Sequence, residues 1–223
     1  MGLLRAFAIA AALLMIAAPA SALRVKLGLQ GIAINNSLTG DLPREGSWNG
    51  QWELGAGIIA ELDLTDDISL SLQPGFTPRN SRREFKRKGE ITGYIDYEVD
   101  YLSVPLLVRV TGDPIGVRGF VTAGLDFSFR LEARLDVRTE IGPYQEEITD
   151  TFKPRSFGAL FGAGAMIPVD RHFVILELRY VQGLSDIVER NGDEEESFLS
   201  SPSIKYKGLE FLVGFAFTLG GGR

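Results

Sequence analysis

The sequence predicts an all-β protein folded as an eight-stranded antiparallel up-and-down barrel. Apolar residues alternate with polar or small residues at period two in eight segments, whereas helical periodicity is absent. The connections between these segments are alternately long and short, as expected when each strand pairs with the next along the chain. The short connections are residues 63–67, 111–115 and 169–172, and the long ones are 36–51, 77–96, 132–155 and 182–206.

The first four predicted strands show the alternation and one irregularity. Trp52 and Leu54 share one face of the second strand, and Glu53 lies on the other. Serines separate the leucines of the third strand. In the fourth strand the pattern changes register near Asp100 and Tyr101, which predicts a β-bulge. These four strands are residues 24–35, 52–62, 68–76 and 97–110.

The last four predicted strands carry the strongest alternation. In the final strand every odd-numbered residue from Leu209 to Leu219 is large and apolar, while Gly208 and Glu210 begin a face of small or polar residues. The fifth and seventh strands repeat this division. An apolar face beside a polar face indicates that each strand separates two different environments. These four strands are residues 117–131, 157–168, 173–181 and 208–219.

The alternation alone leaves open which face points outward. Glycines are frequent on the polar face, several strands reach 11–15 residues, and aromatic residues cluster near the strand ends. Strands of soluble proteins are usually about 5–6 residues long. These features favour a transmembrane barrel whose apolar face meets lipid and whose polar face fills a narrow interior. The alternative is a soluble lipocalin-like, lipid-binding barrel that buries the apolar face.

Residues 1–22 have the features of a cleavable signal peptide. Arg5 precedes an apolar run over residues 6–18, and small residues precede a cleavage site after Ala22. This run of 13 residues is too short for a spanning helix, which needs about 20. We therefore predict a barrel domain over residues 23–223, exported to the envelope of a Gram-negative bacterium.

Composition excludes several classes of function. The 223 residues include no cysteine and a single histidine, His172, which excludes disulfide scaffolds, thiolate metal sites and histidine-rich metal sites. The formal net charge of −6 argues against nucleic-acid binding. His172 lies in a predicted short turn without a well-placed nucleophile. We expect no catalytic activity, no cofactor and no metal.

Short motifs follow one another in a definite order along the chain. They are LQPGF at 72–76, YLSVPLLVR at 101–109, FGALFGAGA at 157–165, LELRY at 176–180 and GL at 183–184. This order resembles that of PorT-like outer membrane β-barrel proteins. At the positions of Gly75 and Ser103, those proteins often have glutamate. The resemblance implies an outer-membrane location, typically in Bacteroidota-like bacteria, and the member that names the group assists protein secretion.

The polar face of the predicted strands carries ten charged residues. Because an isolated ion inside a barrel is costly, we expect both signs to pair across neighbouring strands. An eight-stranded interior has room for little beyond side chains, which favours a structural plug over a gated ion path. This predicted lumen charge network comprises Lys26, Glu53, Glu61, Arg109, Arg118, Asp126, Arg130, Glu177, Arg179 and Glu210.

The second long connection is strongly basic, with six cations in ten residues. Arginine and lysine form charge-assisted hydrogen bonds with phosphate, so this connection is a candidate contact for lipopolysaccharide. The alternatives are a solvated charged loop and pairing with the acidic connections. The candidate residues are Arg79, Arg82, Arg83, Lys86, Arg87 and Lys88.

The final strand resembles the assembly signal of outer-membrane barrels, in which a glycine precedes apolar residues three and five positions on. Gly214, Phe217 and Leu219 match this spacing, which predicts recognition by the barrel-assembly machinery. We expect a monomer surrounded by outer-membrane lipid that binds an envelope protein through four long outer loops. The expected role is structural or interactive, in envelope integrity, adhesion or secretion. The alternative is a narrow channel or transport-associated, porin-like barrel.

Overall fold

The structure, a computed structural model, describes residues 24–40, 47–87, 90–112, 116–139, 142–189 and 203–219. The predicted signal peptide lies outside the described residues. Within them, no helix has the length and apolarity needed to cross a membrane. The strands of the described ranges are β1 (Arg24–Gly40), β2 (Ser47–Asp63), β3 (Ile68–Leu72), β4 (Gly75–Pro78), β5 (Ser81–Arg87), β6 (Glu90–Thr111), β7 (Arg118–Thr139), β8 (Gly142–Glu147), β9 (Arg155–Val169), β10 (His172–Gly183) and β11 (Ile204–Leu219).

The strands close into a ring of eight positions. β1 pairs with β2 on one side and with β11 on the other, and the pairings around the ring are antiparallel. β3, β4 and β5 follow one another between β2 and β6 and together occupy one position. β8 lies outside the ring and, in the described part of the chain, pairs with β7 alone. The predicted all-β antiparallel barrel is confirmed.

The wall stays hydrogen-bonded where its third position is interrupted. Between β3 and β4, the Gln73 amide donates to the Pro105 carbonyl oxygen at 3.0 Å. The Ile58 amide donates to the carbonyl oxygen of Pro74 at 2.8 Å. Since prolines provide no amide hydrogen, these bonds use their carbonyl groups to keep β2 and β6 joined to the interrupted position.

Large apolar side chains cover the outside of the wall. Leu54 is 79% exposed, Trp52 67% and Phe161 57%. Charged side chains such as Arg109 and Glu61 are instead buried in the interior. The apolar face therefore points outward, which confirms the predicted orientation. The soluble lipocalin-like alternative is wrong, because it would bury this face.

Strands occupy much of what the sequence predicted as long outer loops. β2, β5, β6, β7 and β8 extend into the first three long connections, so the prediction of loops there was wrong. The predicted bulge between Asp100 and Tyr101 is confirmed. Beyond it, Val99 and Ala133 are buried. Here the inward face is apolar and the outward face polar, the reverse of the arrangement on the other side of the bulge, as expected for a part of the wall that faces water.

The close approach of β6 to β7 requires glycine at position 124. A Cβ atom there would collide with the Leu106 carbonyl oxygen and lie 2.8 Å from Leu107 Cα. We expect Gly124→Ala to lower the free energy of unfolding by about 1–3 kcal/mol, measured by urea unfolding in detergent. Gly31→Ala is the control, because a Cβ at Gly31 would have no neighbour within 4 Å. Equal losses in both variants would contradict the steric explanation.

Candidate functional site: the filled lumen

An ionic cluster fills the lumen toward the short turns. The Lys26 ammonium donates to Glu61 Oε1 at 2.9 Å and to Asp63 Oδ1 at 2.7 Å. Arg109 donates to the second oxygen of Glu61, and its Nη2 lies 3.4 Å from Glu177 Oε2. Arg109 is on β6, Glu61 on β2 and Glu177 on β10. The Arg109 side chain therefore joins strands across the interior.

The Glu177 carboxylate is the centre of this cluster. Arg179 donates to it twice, from Nε to Oε1 at 2.7 Å and from Nη2 to Oε2 at 2.9 Å. The Thr122 hydroxyl donates to Oε1 at 2.6 Å, and Arg179 also donates to Gln73. Glu177 and Arg179 are two residues apart on one strand, so both face the lumen. Charge-assisted hydrogen bonds from Arg109, Arg179 and Thr122 thus satisfy this buried carboxylate.

A second ionic cluster lies farther toward the outer end. Arg79 Nη2 donates to Asp126 Oδ2 at 2.5 Å and to Ser103 Oγ at 3.1 Å. Its guanidinium carbon lies 5.3 Å from the Tyr101 ring centroid and 5.0 Å from that of Tyr206, within cation–π range. This arginine, from the junction of β4 and β5, therefore contacts side chains of β6, β7 and β11.

Glu210 lies beside the first cluster. On β11 it stands opposite Arg179 of β10 and is 4% exposed. β11 therefore adds a buried carboxylate to the lumen next to this arginine.

Two connecting segments fold into the outer end of the barrel. These inserted segments are residues 148–154 and 184–189, and the bridge between Phe152 and Val188 joins them. Phe152 and Ile187 are fully buried. Apolar side chains from the connections therefore occupy the outer end of the interior.

Arg130 anchors the first inserted segment. Its guanidinium donates to the carbonyl oxygens of Thr149 and Phe152. Phe152 packs in one apolar cluster with Tyr101 and Tyr206, the two rings that contact the second ionic cluster. The inserted segments thus lie directly over the charged part of the lumen.

The family model described as "Outer membrane protein beta-barrel domain" matches residues 21–189. The chain belongs to this family. Its place is therefore the cell outer membrane, with the exposed apolar face toward lipid. No curated protein matches the chain in sequence.

Three solved structures are similar to this outer-membrane barrel at low sequence identity. Neisserial surface protein A is 12% identical, with 86% of this chain and 97% of that chain covered and a TM-score of 0.48. OprG from Pseudomonas aeruginosa is 13% identical, with 89% and 96% covered and a TM-score of 0.47. Ail, the attachment invasion locus protein of Yersinia pestis, is 11% identical, with 87% and 98% covered and a TM-score of 0.41.

Most of the predicted lumen charges meet inside the outer-membrane barrel. Three of them do not join the two clusters. Arg118 donates to the Asp66 carbonyl oxygen at 2.8 Å near the short turns, and Arg130 anchors an inserted segment. Glu53 accepts a hydrogen bond from Asn80 at 2.8 Å. Alternation predicts which side of the wall a side chain faces but not how far along the barrel axis it lies, so residues near strand ends contact groups outside the clusters. The buried members are Lys26, Glu61, Arg109, Asp126, Glu177, Arg179 and Glu210.

The predicted lipopolysaccharide contact is wrong for Arg79 and Arg83. Both side chains are buried, and Arg79 pairs with Asp126 in the lumen. A signal for Arg79 was present in the sequence, because the inward polar positions at Gln73 and Thr77 continue to it at the same spacing of two. Because this connection contains so many cations, it was interpreted as one exposed basic loop, and the inward position of Arg79 was not predicted.

The other members of the basic connection give no free cation cluster in the described part of the chain. Arg82 donates to both oxygens of Asp96, at 2.6 and 2.7 Å. The side chains of Lys86 and Arg87, and the whole of Lys88, lie outside the described residues. A lipopolysaccharide contact by these three residues stays a prediction.

The remaining sequence predictions concern the lipid face and the short turns. Phe217 and Leu219 are exposed on the apolar face and Gly214 is buried on the inward side. Recognition of these residues by the assembly machinery stays a prediction. The His172 ring lies 4.9 Å from the Phe217 ring centroid. Among the described residues, no group of three histidine or acidic side chains is arranged to hold a metal ion.

A cleft of about 230 Å³ on the outer surface of the wall holds several carboxylates. Partial burial, reinforced by the nearby negative charges of Asp136, Asp96 and Glu53, raises the pKa of Glu98 above its ordinary value. Sequence reasoning missed this cleft, because Pro78, Asn80, Glu132 and Arg134 fall in the predicted long connections and Glu53 was assigned to the lumen. It is lined by Glu53, Leu54, Phe76, Pro78, Asn80, Glu98, Asp100, Glu132 and Arg134.

Glu177→Ala would remove the acceptor that Arg109 and Arg179 share. Removing one partner of a buried ion pair costs about 3–5 kcal/mol, and we expect a loss of that order in the free energy of unfolding in detergent. Glu132→Ala is the control, because its pair with Arg134 is largely exposed and surface pairs contribute about 1 kcal/mol or less. Equal losses would mean that the lumen cluster does not stabilise the barrel.

Glu98→Gln would test the electrostatics of the outer cleft. A raised pKa means that the folded protein disfavours the ionised carboxylate, so Glu98 lowers stability once the pH exceeds its ordinary pKa of about 4.3. We expect the variant to be more stable than the unchanged protein at pH 7. The two should converge below about pH 4, where both side chains are neutral. Urea midpoints across this range measure the effect, and a pH-independent difference would contradict it.

Proposed function

We propose that this protein is a non-conducting outer-membrane barrel with a structural or interaction role, in envelope integrity, adhesion or secretion. The observation that carries the proposal is the filled interior. Arg109 and Arg179 are at most 2% exposed, and the inserted segments lie over the lumen. A conducting pore needs a continuous hydrated path, whereas an eight-stranded ring has room for little beyond side chains.

The alternative is a narrow channel in which the ionic clusters form a gate. Opening such a gate would require the buried pairs to separate. Glu61 is shared by Lys26 and Arg109, and Glu177 by Arg109 and Arg179. Each pair that loses a partner inside the barrel costs about 3–5 kcal/mol. The number of shared pairs therefore supports a closed barrel.

The part of the barrel beyond the membrane offers the surfaces for an interaction role. β6 and β7 contain 22 residues each, about twice the 9–11 residues that span a bilayer. We propose that the sheet of β5, β6, β7 and β8 beyond the lipid binds an envelope partner. The motif order that resembles PorT-like barrels supports a secretion-associated role among the three named.

The proposed role includes no enzymatic activity. The chain has one histidine, and His172 packs against Phe215 and Phe217 near the short turns. Nucleophilic hydrolysis usually needs a base that contacts a hydroxyl or thiol nucleophile. The surroundings of His172 are those of an aromatic contact, which supports a structural position for this side chain.

Planar-bilayer recording tests the closed lumen. We expect no steady ohmic conductance above that of the bare bilayer, with folding verified by heat-modifiable gel mobility and a porin of known conductance as positive control. Arg130→Ala releases the first inserted segment and should also stay closed, because the ionic clusters below it remain. A large and steady ohmic conductance in the unchanged protein would overturn the proposal in favour of the channel.

A further inference from the structure

Beyond the apolar band, the first outward side chains of β6 are acidic, whereas those of β7 alternate between acidic and basic residues. Leu102 is the last exposed apolar residue of β6, and the next outward positions on that strand are Asp100 and Glu98. Glu132 of β7 stands opposite Asp100, and Glu53 of β2 lines the same cleft. We call Glu53, Glu98, Asp100 and Glu132 the acidic face.

The acidic face is concave and carries excess negative charge. Arg134 pairs with Glu132 at 2.7 Å, so one arginine stands against four carboxylates. Leu54, Phe76 and Pro78 supply apolar walls to the cleft. Lysine side chains bury their methylene groups along apolar surface while the ammonium contacts polar groups. The cleft therefore has the chemistry to receive a lysine from a neighbouring molecule.

A basic face lies on another side of the ring at the same height. Leu209 is the last exposed apolar residue of β11, and the next outward positions are Lys207 and Lys205. On β9, Arg155 follows the exposed Phe157 in the same way, but β9 pairs with β7, so this arginine lies beside the acidic face. Within the described ranges, neither Lys205 nor Lys207 has an ion-pair partner. We call Lys205 and Lys207 the basic face.

The two faces point in opposite directions. Around the ring the order is β6, β7, β9, β10 and β11, so β11 is four positions from β6 in a ring of eight. Both faces begin at the first outward position beyond the apolar band, and this places them at the same distance from the lipid. Two barrels embedded side by side in one membrane would bring unlike charges together at that height.

We propose that the acidic face of one copy binds Lys205 and Lys207 of a second copy, side by side in the membrane. This contact replaces the monomer expected from the sequence, and it does not depend on whether the lumen conducts. Because the two faces differ and point apart, the contact is heterologous and continues into rows instead of closing as a two-fold dimer. A phosphate-bearing lipid headgroup is the competing occupant of the basic face.

Cysteine cross-linking in vesicles tests the proposal, because the chain contains no cysteine of its own. Leu102→Cys lies beside the acidic face and Gln182→Cys beside Lys207, and neither change removes a charge. The two variants are mixed in phosphatidylcholine vesicles and treated with a bifunctional maleimide. We expect cross-linked pairs in the mixture, few in either variant alone, and about tenfold fewer at high salt, where surface charges are screened.

Charge reversal identifies the residues that make the contact. Lys205→Glu with Lys207→Glu, in the Gln182→Cys chain, should abolish the cross-link. Glu98→Lys with Glu132→Lys, in the Leu102→Cys chain, should restore it against that reversed partner. Arg171→Glu, a single reversal on the exposed short turn at the other end of the barrel, is the control and should leave the yield unchanged. Heat-modifiable mobility verifies that each variant folds.

Three results would overturn the proposal. Cross-links formed equally well within each single variant would indicate a two-fold contact or random collision. A yield insensitive to salt and to charge reversal would exclude an ionic interface. If reversal of the lysines leaves the yield unchanged but abolishes binding of phosphatidylglycerol added to the vesicles, the basic face binds lipid phosphate instead of a second copy.

Discussion

The interior of an eight-stranded ring has room for side chains but not for bulk water, and the rest of this structure depends on that constraint. A charge placed there needs partners of opposite sign. Glu61 has Lys26 and Arg109, and Glu177 has Arg109 and Arg179. Arg109 reaches from β6 to carboxylates on β2 and β10. These contacts hold separate parts of the ring together through its interior.

The two-residue alternation continues along the whole wall, but the face that is apolar changes from the outside to the inside at the bulge. Within the membrane, Leu102 faces lipid while Ser103 and Arg109 are buried. Beyond the bulge at Asp100 and Tyr101, water surrounds the wall, so the charged residues face outward and the interior is apolar. One continuous strand therefore has a part that faces lipid and a part that faces water. The inserted segments complete the apolar interior at the outer end.

Because side chains fill the lumen, we expect the function of this barrel to depend on its outer surfaces. The acidic cleft lies where the barrel leaves the lipid, at a height that neighbouring molecules in the same membrane share. The two lysines of β11, which have no ion-pair partner among the described residues, lie at that height too. An interaction role and lateral association make use of this arrangement without any path through the barrel. Both depend on side chains that stand just beyond the apolar band.

Alternation within single strands was enough to predict the β class, the bulge near Asp100 and the inward side of seven of the ten lumen charges. The order of the strands followed from the alternately long and short connections. The outward apolar face followed from strand length and from the placement of glycines and aromatic residues. The folded ring was needed to show that Arg79 lies inside, that Glu53 lies on the outer cleft, and that two connections enter the lumen. Those outcomes depend on height within the ring and on contacts between distant strands, which no local pattern specifies.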